Sequence, residues 1–532
     1  SSGLAAADQM SDSPTNNHCT LNPLWVDGHT LSDGNLVASA AADSAAIGTM
    51  AFDPTDSAGF YFEAKVTTAA TYPNVGIRTI ESPSQVGAVT SLSGNSTGRF
   101  SFTGSNGQFS DAGSGSSYGS AWAGTADKVI GVLVKAGALY FSIDGTIQNS
   151  GTAAKTGLTG LMLPTVFYDA GSGTTASWEM RFDASDWSTT PSGYKAITTD
   201  NLATPSIKDG SAYFHTQLYT GNGSSGLAIT NDANAGDFEA DLLIIGPRSN
   251  GDNKVWFDDV RGTTKRIKSN SADPGDTDST AQLTFESDGF DLDTTDVNFN
   301  GSGRTYVAWQ WKKGATPGFD IVEYTGNATN RTISHSLGVA PEWIVIKDTS
   351  NTESWVVGHN SIGFTKNLFL NLTNAEASSS TIWQDTAPTS SVFSIGTSDG
   401  VNKVGSHIAY LWASVPGFSK FGSYTGNGNA DGPFVYTGFK PALVILKVSS
   451  NSPTGWIILD NKRDTFNSVN HVLQPNNSET EVSGSDNWDF NSNGFKLRTT
   501  WAAANGSGYT VTYVAFAEHP FANPDGAPAT AR

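Results

Sequence analysis

Residues 324–347 read YTGNATNRTISHSLGVAPEWIVIK, and this stretch decides the fold because the chain carries its outline three times. Tyr-Thr-Gly-Asn recurs at 219–222, 324–327 and 424–427, with starts 105 and then 100 residues apart. An apolar run follows each: ADLLIIG (240–246), PEWIVIK (341–347) and PALVILK (441–447). A turn and strand come next, SDGFDL (287–292) and SNGFKL (492–497), with SVFSIG (391–396) as a degenerate middle copy. Each copy closes on an aromatic strand: YVAWQW (306–311), IAYLWA (408–413) and YVAFAE (513–518). Markers in constant order define a repeat of about 100 residues, the size of one small β-sandwich, so each copy is expected to hold its own core. Pro-Gly-Phe at 317–319 and 416–418 separates the copies, a rigid Pro beside a flexible Gly. The first copy departs at Ala240, where the others have Pro, and at Gly246, where they have Lys, so it is expected to differ at that edge.

The segment before the repeats alternates strand-like runs with Gly-rich turns: GFYFEAKV (59–66), NVGIRTI (74–80), GRFSFTG (98–104), KVIGVLVKAGALYFSIDGT (128–146), LMLPTVFY (161–168) and SWEMRF (177–182). Period-2 alternation puts Phe60, Phe62, Ala64 and Val66 on one face. Asp144–Gly145 is a strong hairpin stop. The pieces G-F-Y-F-E (59–63), V-G-I (75–77), S-Y-G (117–119) with Trp122, K-V-I-G-V (128–132) and L-Y-F-S-I-D-G (139–145) resemble a SPRY domain over roughly residues 30–185. That resemblance implies a twisted sandwich that binds partners through its loops. The chain is thus expected to be all-β, a series of tandem β-sandwich domains. These are an extended N-terminal docking arm (1–28), a SPRY-like sandwich (29–204) and three homologous sandwiches (205–317, 318–416 and 417–532, the last with a C-terminal tail).

Composition agrees. Only 15% of residues are charged and Gly occurs 57 times, so the polar surface is built from turn-forming Ser, Thr, Asn, Asp and Gly. A net charge of −20 repels nucleic-acid backbones and anionic membrane surfaces, so no nucleic-acid partner is expected. No apolar run approaches a membrane-spanning length, so no membrane insertion is expected. SSGLAAADQM lacks the basic end and apolar core of an export signal. Cys19 is the single cysteine, which rules out a disulfide within the chain.

The opening DSPTNN…TLNPL (12–24), the YTGN units and the closing YVAFAEHPF…APATAR (513–532) resemble tail-associated and fibre-type structural proteins of marine bacteriophages. The resemblance covers nearly the whole chain. It implies a non-enzymatic component of the virion surface, a tail fibre or tail-associated host-attachment protein. Its partners would be other virion proteins and a host surface glycan or protein, and it would be a homo-oligomer. The alternatives are a capsid decoration or head-fibre protein, a secreted carbohydrate-binding bacterial adhesin, and a polysaccharide depolymerase tailspike.

No G-x-S-x-G elbow, P-loop or zinc spacing occurs, and the eight histidines are scattered, so no catalytic residue is expected. Calcium is the one candidate cofactor. Asp291, Asp293 and Asp296 in DLDTTDVNFNG offer oxygens at short spacing, as does DPGDTD (273–278), although the loop lacks the closing Glu of an EF-hand. Of the tryptophans, Trp309, Trp311, Trp343 and Trp412 fall inside repeat strands and belong to the core. Trp122, Trp187, Trp383 and Trp501 lie nearer irregular segments and are the candidates for glycan or protein contact. The repeated Thr-Gly-Asn pieces read as turns with left-handed Gly and Asn rather than as ligand loops.

Overall fold

The alternation in FYFEAKV sets one whole layer of the structure, a computed structural model that describes residues 17–517 apart from 41–43, 69–71, 81–97, 169–174, 204 and 233–237. Phe60, Phe62, Ala64 and Val66 point into one buried cluster with Phe102, Phe141 and Trp178. The opposite face of the same strand, Phe60–Thr68, is covered too. There Glu63 is fully buried and accepts hydrogen bonds from the Ser188 amide (2.8 Å), the Thr189 amide (3.0 Å) and the Tyr61 hydroxyl (2.9 Å). Burial of a carboxylate is tolerable only with such a full set of donors. Val129–Lys135 and Ala138–Ile143 form the expected hairpin. Asp144 and Gly145 turn the chain with φ of 47° and 81°, a pair of left-handed residues that matches the strand twist.

Two seven-stranded antiparallel sheets result, and they enclose this cluster as a β-sandwich. Residues expected to form a free arm belong to it from position 17 onward. Leu21–Asp27 pairs with Ser44–Gly48, and Cys19, Leu21 and Trp25 are fully buried. An Asn- and Pro-rich segment reads as an arm, but its spaced apolar side chains make it an edge strand. Residues 1–16 lie outside the described residues, as do 518–532 of the C-terminal tail.

The chain divides into two compact units between Pro205 and Ser206. In the second unit the repeats share one plan. Each first strand pairs with its own closing aromatic strand: Phe214–Thr220 with Thr305–Trp311, Phe319–Gly326 with Gly405–Trp412, and Ser419–Thr425 with Thr510–Phe516. The apolar runs form Leu242–Pro247, Trp343–Asp348 and Leu443–Val448, each on the far side of its closing strand. A second antiparallel sheet backs each of these, of three, two and four strands in turn.

The period-2 rule then separates two cores. Leu243 and Ile245, Ile344 and Ile346, and Val444 and Leu446 face the private core of their own copy. Their neighbours Leu242 and Ile244, Trp343 and Val345, and Leu443 and Ile445 face a single core common to all three copies. Each copy was expected to hold its own core, and each does so only in part. Strands apolar on both faces are strands buried on both faces. One aromatic from each closing strand meets at the centre: Trp311 lies 6.3 Å from Trp412 and 5.7 Å from Phe516 between ring centroids.

Equivalent hydrogen bonds run around the ring. The Gly275 amide donates to Thr349 O (3.0 Å), the Glu376 amide to Ser449 O (2.8 Å) and the Glu481 amide to Arg248 O (3.0 Å). First copy holds second, second holds third, and third returns to first, so the repeats close on a pseudo-threefold axis. A buried lysine marks each seam. Lys347 Nζ donates to Ala272 O (3.0 Å), Lys447 Nζ to Thr373 O (3.2 Å), and Lys254 Nζ to Asn477 O (2.9 Å) and Glu479 O (2.8 Å). Lys254 comes from a different position. By strand register it stands where the other copies have Trp355 and Trp456, while Gly246 stands where they have Lys347 and Lys447. The edge at which the first copy departs in sequence is thus the seam with the third, and the ammonium reaches it from the neighbouring strand.

The Tyr-Thr-Gly-Asn motif is structural. Tyr219, Tyr324 and Tyr424 donate to the carbonyls of Phe299, Val401 and Ala504 (2.7, 2.7 and 2.8 Å). The amides of Asn222, Asn327 and Asn427 donate to Oδ1 of Asn300, Asn402 and Asn505 (2.9, 2.9 and 2.8 Å). Its Gly is required for close approach rather than for a left-handed conformation: a Cβ on Gly326 would strike the carbonyl of Lys403.

Candidate functional site: a cleft in the third repeat

The third copy keeps the strand pairing of the other two and lengthens one strand of it. In the first two copies Lys265–Lys268 and Lys366–Phe369 lie in the inner sheet, beside Val255–Asp258 and Val356–His359. Those strands also pair with Asp276–Thr277 and Ala377–Ser378. In the third copy His471 and Val472 pair in the same register with Ser483 and Val482, the start of the long strand Val482–Asn491, while Leu473 keeps its bridge to Ile458 of the inner sheet. The strand Val469–Val472, the loop after it and the start of the long strand line a cleft of about 240 Å³. Asn470 and Val472 line it from alternate positions of the strand, Gln474, Asn477, Glu479 and Thr480 from the loop, and Trp501 from across the gap. His471, between the two strand positions, binds Asp464 through Nδ1 at 2.5 Å.

Trp501 occupies the cap position of the short helix Ala502–Asn505. The equivalent positions are Asp296 and Ser398, residue types suited to a helix start. Asp296 uses its carboxylate to accept the Asn298 amide (2.8 Å). Trp501 makes no side-chain cap, and its half-buried indole packs edge-on near Trp488 at 6.5 Å.

The loop is held from beneath by the first copy. Besides Lys254, Ser269 Oγ donates to Pro475 O (2.9 Å), and Arg248 makes a two-pronged ion pair with Glu481 (2.9 and 2.8 Å). Arg463 adds a third contact to Glu481 at 3.2 Å. Burial pushes Lys254 down to about 8. Burial also pushes Glu481 up, but Arg248 and Arg463 outweigh it and hold the carboxyl below its ordinary range. Inside the cleft, Asn477 Nδ2 bridges Gln474 Oε1 (2.6 Å) and Glu479 Oε2 (3.1 Å). Gln474 Nε2, Glu479 Oε1 and Asn470 Oδ1 have no protein partner among the described residues.

Of the four candidate tryptophans, the structure places Trp501 in this cleft. Trp187 is half-buried, its indole N–H donating to Arg181 O (3.2 Å) and its ring edge-on to Tyr61 at 4.7 Å. Trp122 and Trp383 are core residues with 2% and 1% exposure, packed on Phe102 and Phe364, and offer no surface to a partner. Irregular backbone around a Trp does not imply exposure, because an indole reaches the core from a loop as readily as from a strand.

In the acidic stretches the carboxylates are engaged by the protein's own groups. Asp296 is spent on its cap and on Arg266 Nη1 (2.9 Å), Asp293 accepts from Thr284 Oγ1 (3.2 Å), and Asp291 sits mid-strand in Gly289–Leu292. Arg266 and Lys268 also pair with Asp276 (3.3 and 2.9 Å), and Arg266 with Asp278 (3.4 Å). The protein's own cations occupy the acidic cluster. No group of three or more His, Cys, Asp or Glu gathers around a metal position among the described residues.

These features define an all-β protein in which a two-sheet sandwich is joined to a pseudo-threefold trio of small sandwiches. The chain belongs to a domain family of unknown function, DUF7483, which matches residues 209–520 and so embraces all three repeats. No curated protein matches it. Among solved structures, the chain is similar to the SPRY domain of human HERC1 (9% identity, 30% of this chain and 96% of that one, TM-score 0.25). It is also similar to the TRIM65 PSpry domain (12%, 30% and 89%, 0.23) and to stonustoxin (17%, 31% and 27%, 0.25).

Proposed function

We propose that this chain is a non-enzymatic structural protein of a bacteriophage virion, a tail fibre or tail-associated protein concerned with host attachment. The observation that carries the reading is the braced ring with an open cleft on its third copy. Three copies are locked by equivalent bonds at every seam, and the third carries an open, polar-lined cleft beside a fixed loop. Rigid scaffolds that hold a pre-formed cleft suit recognition, because little ordering entropy is lost on binding. The net charge of −20 keeps such a surface soluble and away from nucleic acid. Its partners are other virion proteins and a host surface group, and clustered copies would sum weak contacts. Immunogold labelling of intact particles with antibody to residues 206–517 tests the reading. Label at the tail is expected. Label over the head would make it a decoration protein, and unlabelled particles beside labelled cell surfaces would remove it from the virion.

A further inference from the structure

We propose that the cleft of the third repeat binds one pyranose residue of a neutral or N-acetylated polysaccharide, with Trp501 as the platform for its apolar face. This rests on reading the chain as a binding protein. Three observations lead to it.

The first is asymmetry within the repeat. Positions the fold needs are shared by the copies, as the Tyr-Thr-Gly-Asn contacts are. Trp501 stands where the other copies have Asp296 and Ser398, so the third copy alone puts a large, half-buried ring at this position.

The second is chemistry. A pyranose has an apolar C–H face and a rim of hydroxyls that both donate and accept. The cleft presents the same division. Trp501 and the exposed Val482 supply apolar surface, while Asn470, Gln474 and Glu479 supply two acceptors and a donor without protein partners among the described residues. Amphipathic aromatic rings suit such a half-wet contact.

The third is charge and size. Glu479 is the one formally charged residue lining the cleft, so a sugar carboxylate would meet repulsion. A cavity of about 240 Å³ admits one ring rather than a chain lying along a groove. The loop beneath is pinned by Lys254, Ser269 and Arg248, so the hydroxyl partners are in place before the ligand arrives.

Saturation-transfer NMR on the full chain would use methyl glucopyranoside, methyl mannopyranoside, methyl galactopyranoside, N-acetylglucosamine and glucuronate as probes. Transfer to at least one neutral or N-acetylated sugar is expected, with none to glucuronate. Trp501→Ala should weaken binding about tenfold, the loss of one stacking contact. Because Trp501 touches the core, Val482→Arg is the second variant: it fills the rim from an exposed position and should abolish transfer while leaving the thermal midpoint unchanged. The proposal is overturned if no neutral sugar shows transfer, if glucuronate binds as well, or if both variants bind like the parent. Particle labelling is independent of these results. Tail label without sugar binding removes only the cleft's ligand, and sugar binding without label removes only the virion reading.

Discussion

Replacing Glu481 by Gln should open the ring at its last seam. Two seams are spanned by the chain itself, through the junctions at 312–318 and 413–418, whereas the seam between third and first copies has no covalent link. Glu481 is there the shared partner of two guanidinium groups, Arg248 at 2.8–2.9 Å and Arg463 at 3.2 Å. Its side chain is 11% exposed, Arg463 is fully enclosed and Arg248 is 20% exposed. Gln keeps one acceptor oxygen and turns an amide N–H₂ toward a cation. Breaking a fully buried pair costs about 3–5 kcal/mol. Arg248 can relax toward water, so the expected cost is about 2–3 kcal/mol, or roughly 4–10 °C in the melting midpoint. Urea unfolding followed by tryptophan fluorescence gives the number. Glu376→Gln, which removes a pair to the more exposed Lys366, is the control and should cost no more than about 1 kcal/mol. There is also a pH signature. A carboxyl held below its unfolded value contributes stability that is present above that value and lost as pH falls through the folded one, so Glu481→Gln should flatten the acid limb of the stability curve. If it proves as mild as the control, with an unchanged acid limb, closure does not rest on this cluster.

Burial pushes Lys254, Lys347 and Lys447 to about 8 from an ordinary 10.5. The unfolded chain therefore binds more protons between those values, and the urea midpoint is expected to rise as pH climbs from about 8 toward 10, less steeply in Lys347→Met. Lys254→Trp alone should destabilise, since a bulky ring replaces the ammonium at the closing seam. Adding Gly246→Lys, which restores the arrangement of the other copies, should recover part of the loss in a double-mutant cycle. A Cβ on Gly246 would meet only the side chains of Leu473 and Trp309, at 3.3 Å, so the second change is tolerable. Gly326→Ala has no such room beside the Lys403 carbonyl and should cost about 2 kcal/mol or more in a thermal melt.

The repeat borders are legible in sequence because Pro-Gly-Phe recurs between closing and opening strands, and the structure starts its strands at Phe319 and Ser419. The common core is present in LLII, WIVI and LVIL, whose unbroken apolar character demands cover on both faces; a sandwich with one wet face would alternate. Expecting separate domains overlooks that demand. The cleft is harder to find. Trp501 emerges from its irregular setting, but Asn470, Gln474 and Asn477 lie in a turn-rich stretch where spacing cannot reveal which side chains share a cleft. Asp291, Asp293 and Asp296 mislead because countercharge is not local: Arg266 is 30 residues upstream of Asp296 in the chain and 2.9 Å away in space. For the same reason Trp122 and Trp383 cannot be told from Trp501 by their neighbours in sequence.

Phe214 at the start of the ring stacks on Phe516 at its end, with centroids 5.5 Å apart. The two ends of some three hundred residues therefore meet side by side. A segment with coincident ends closes on itself, so the ring's first and last strands are neighbours in space. It also has no intrinsic first strand. Cutting the junction at 413–418 and joining the old ends should yield the same ring from a reordered gene, with the cleft unmoved.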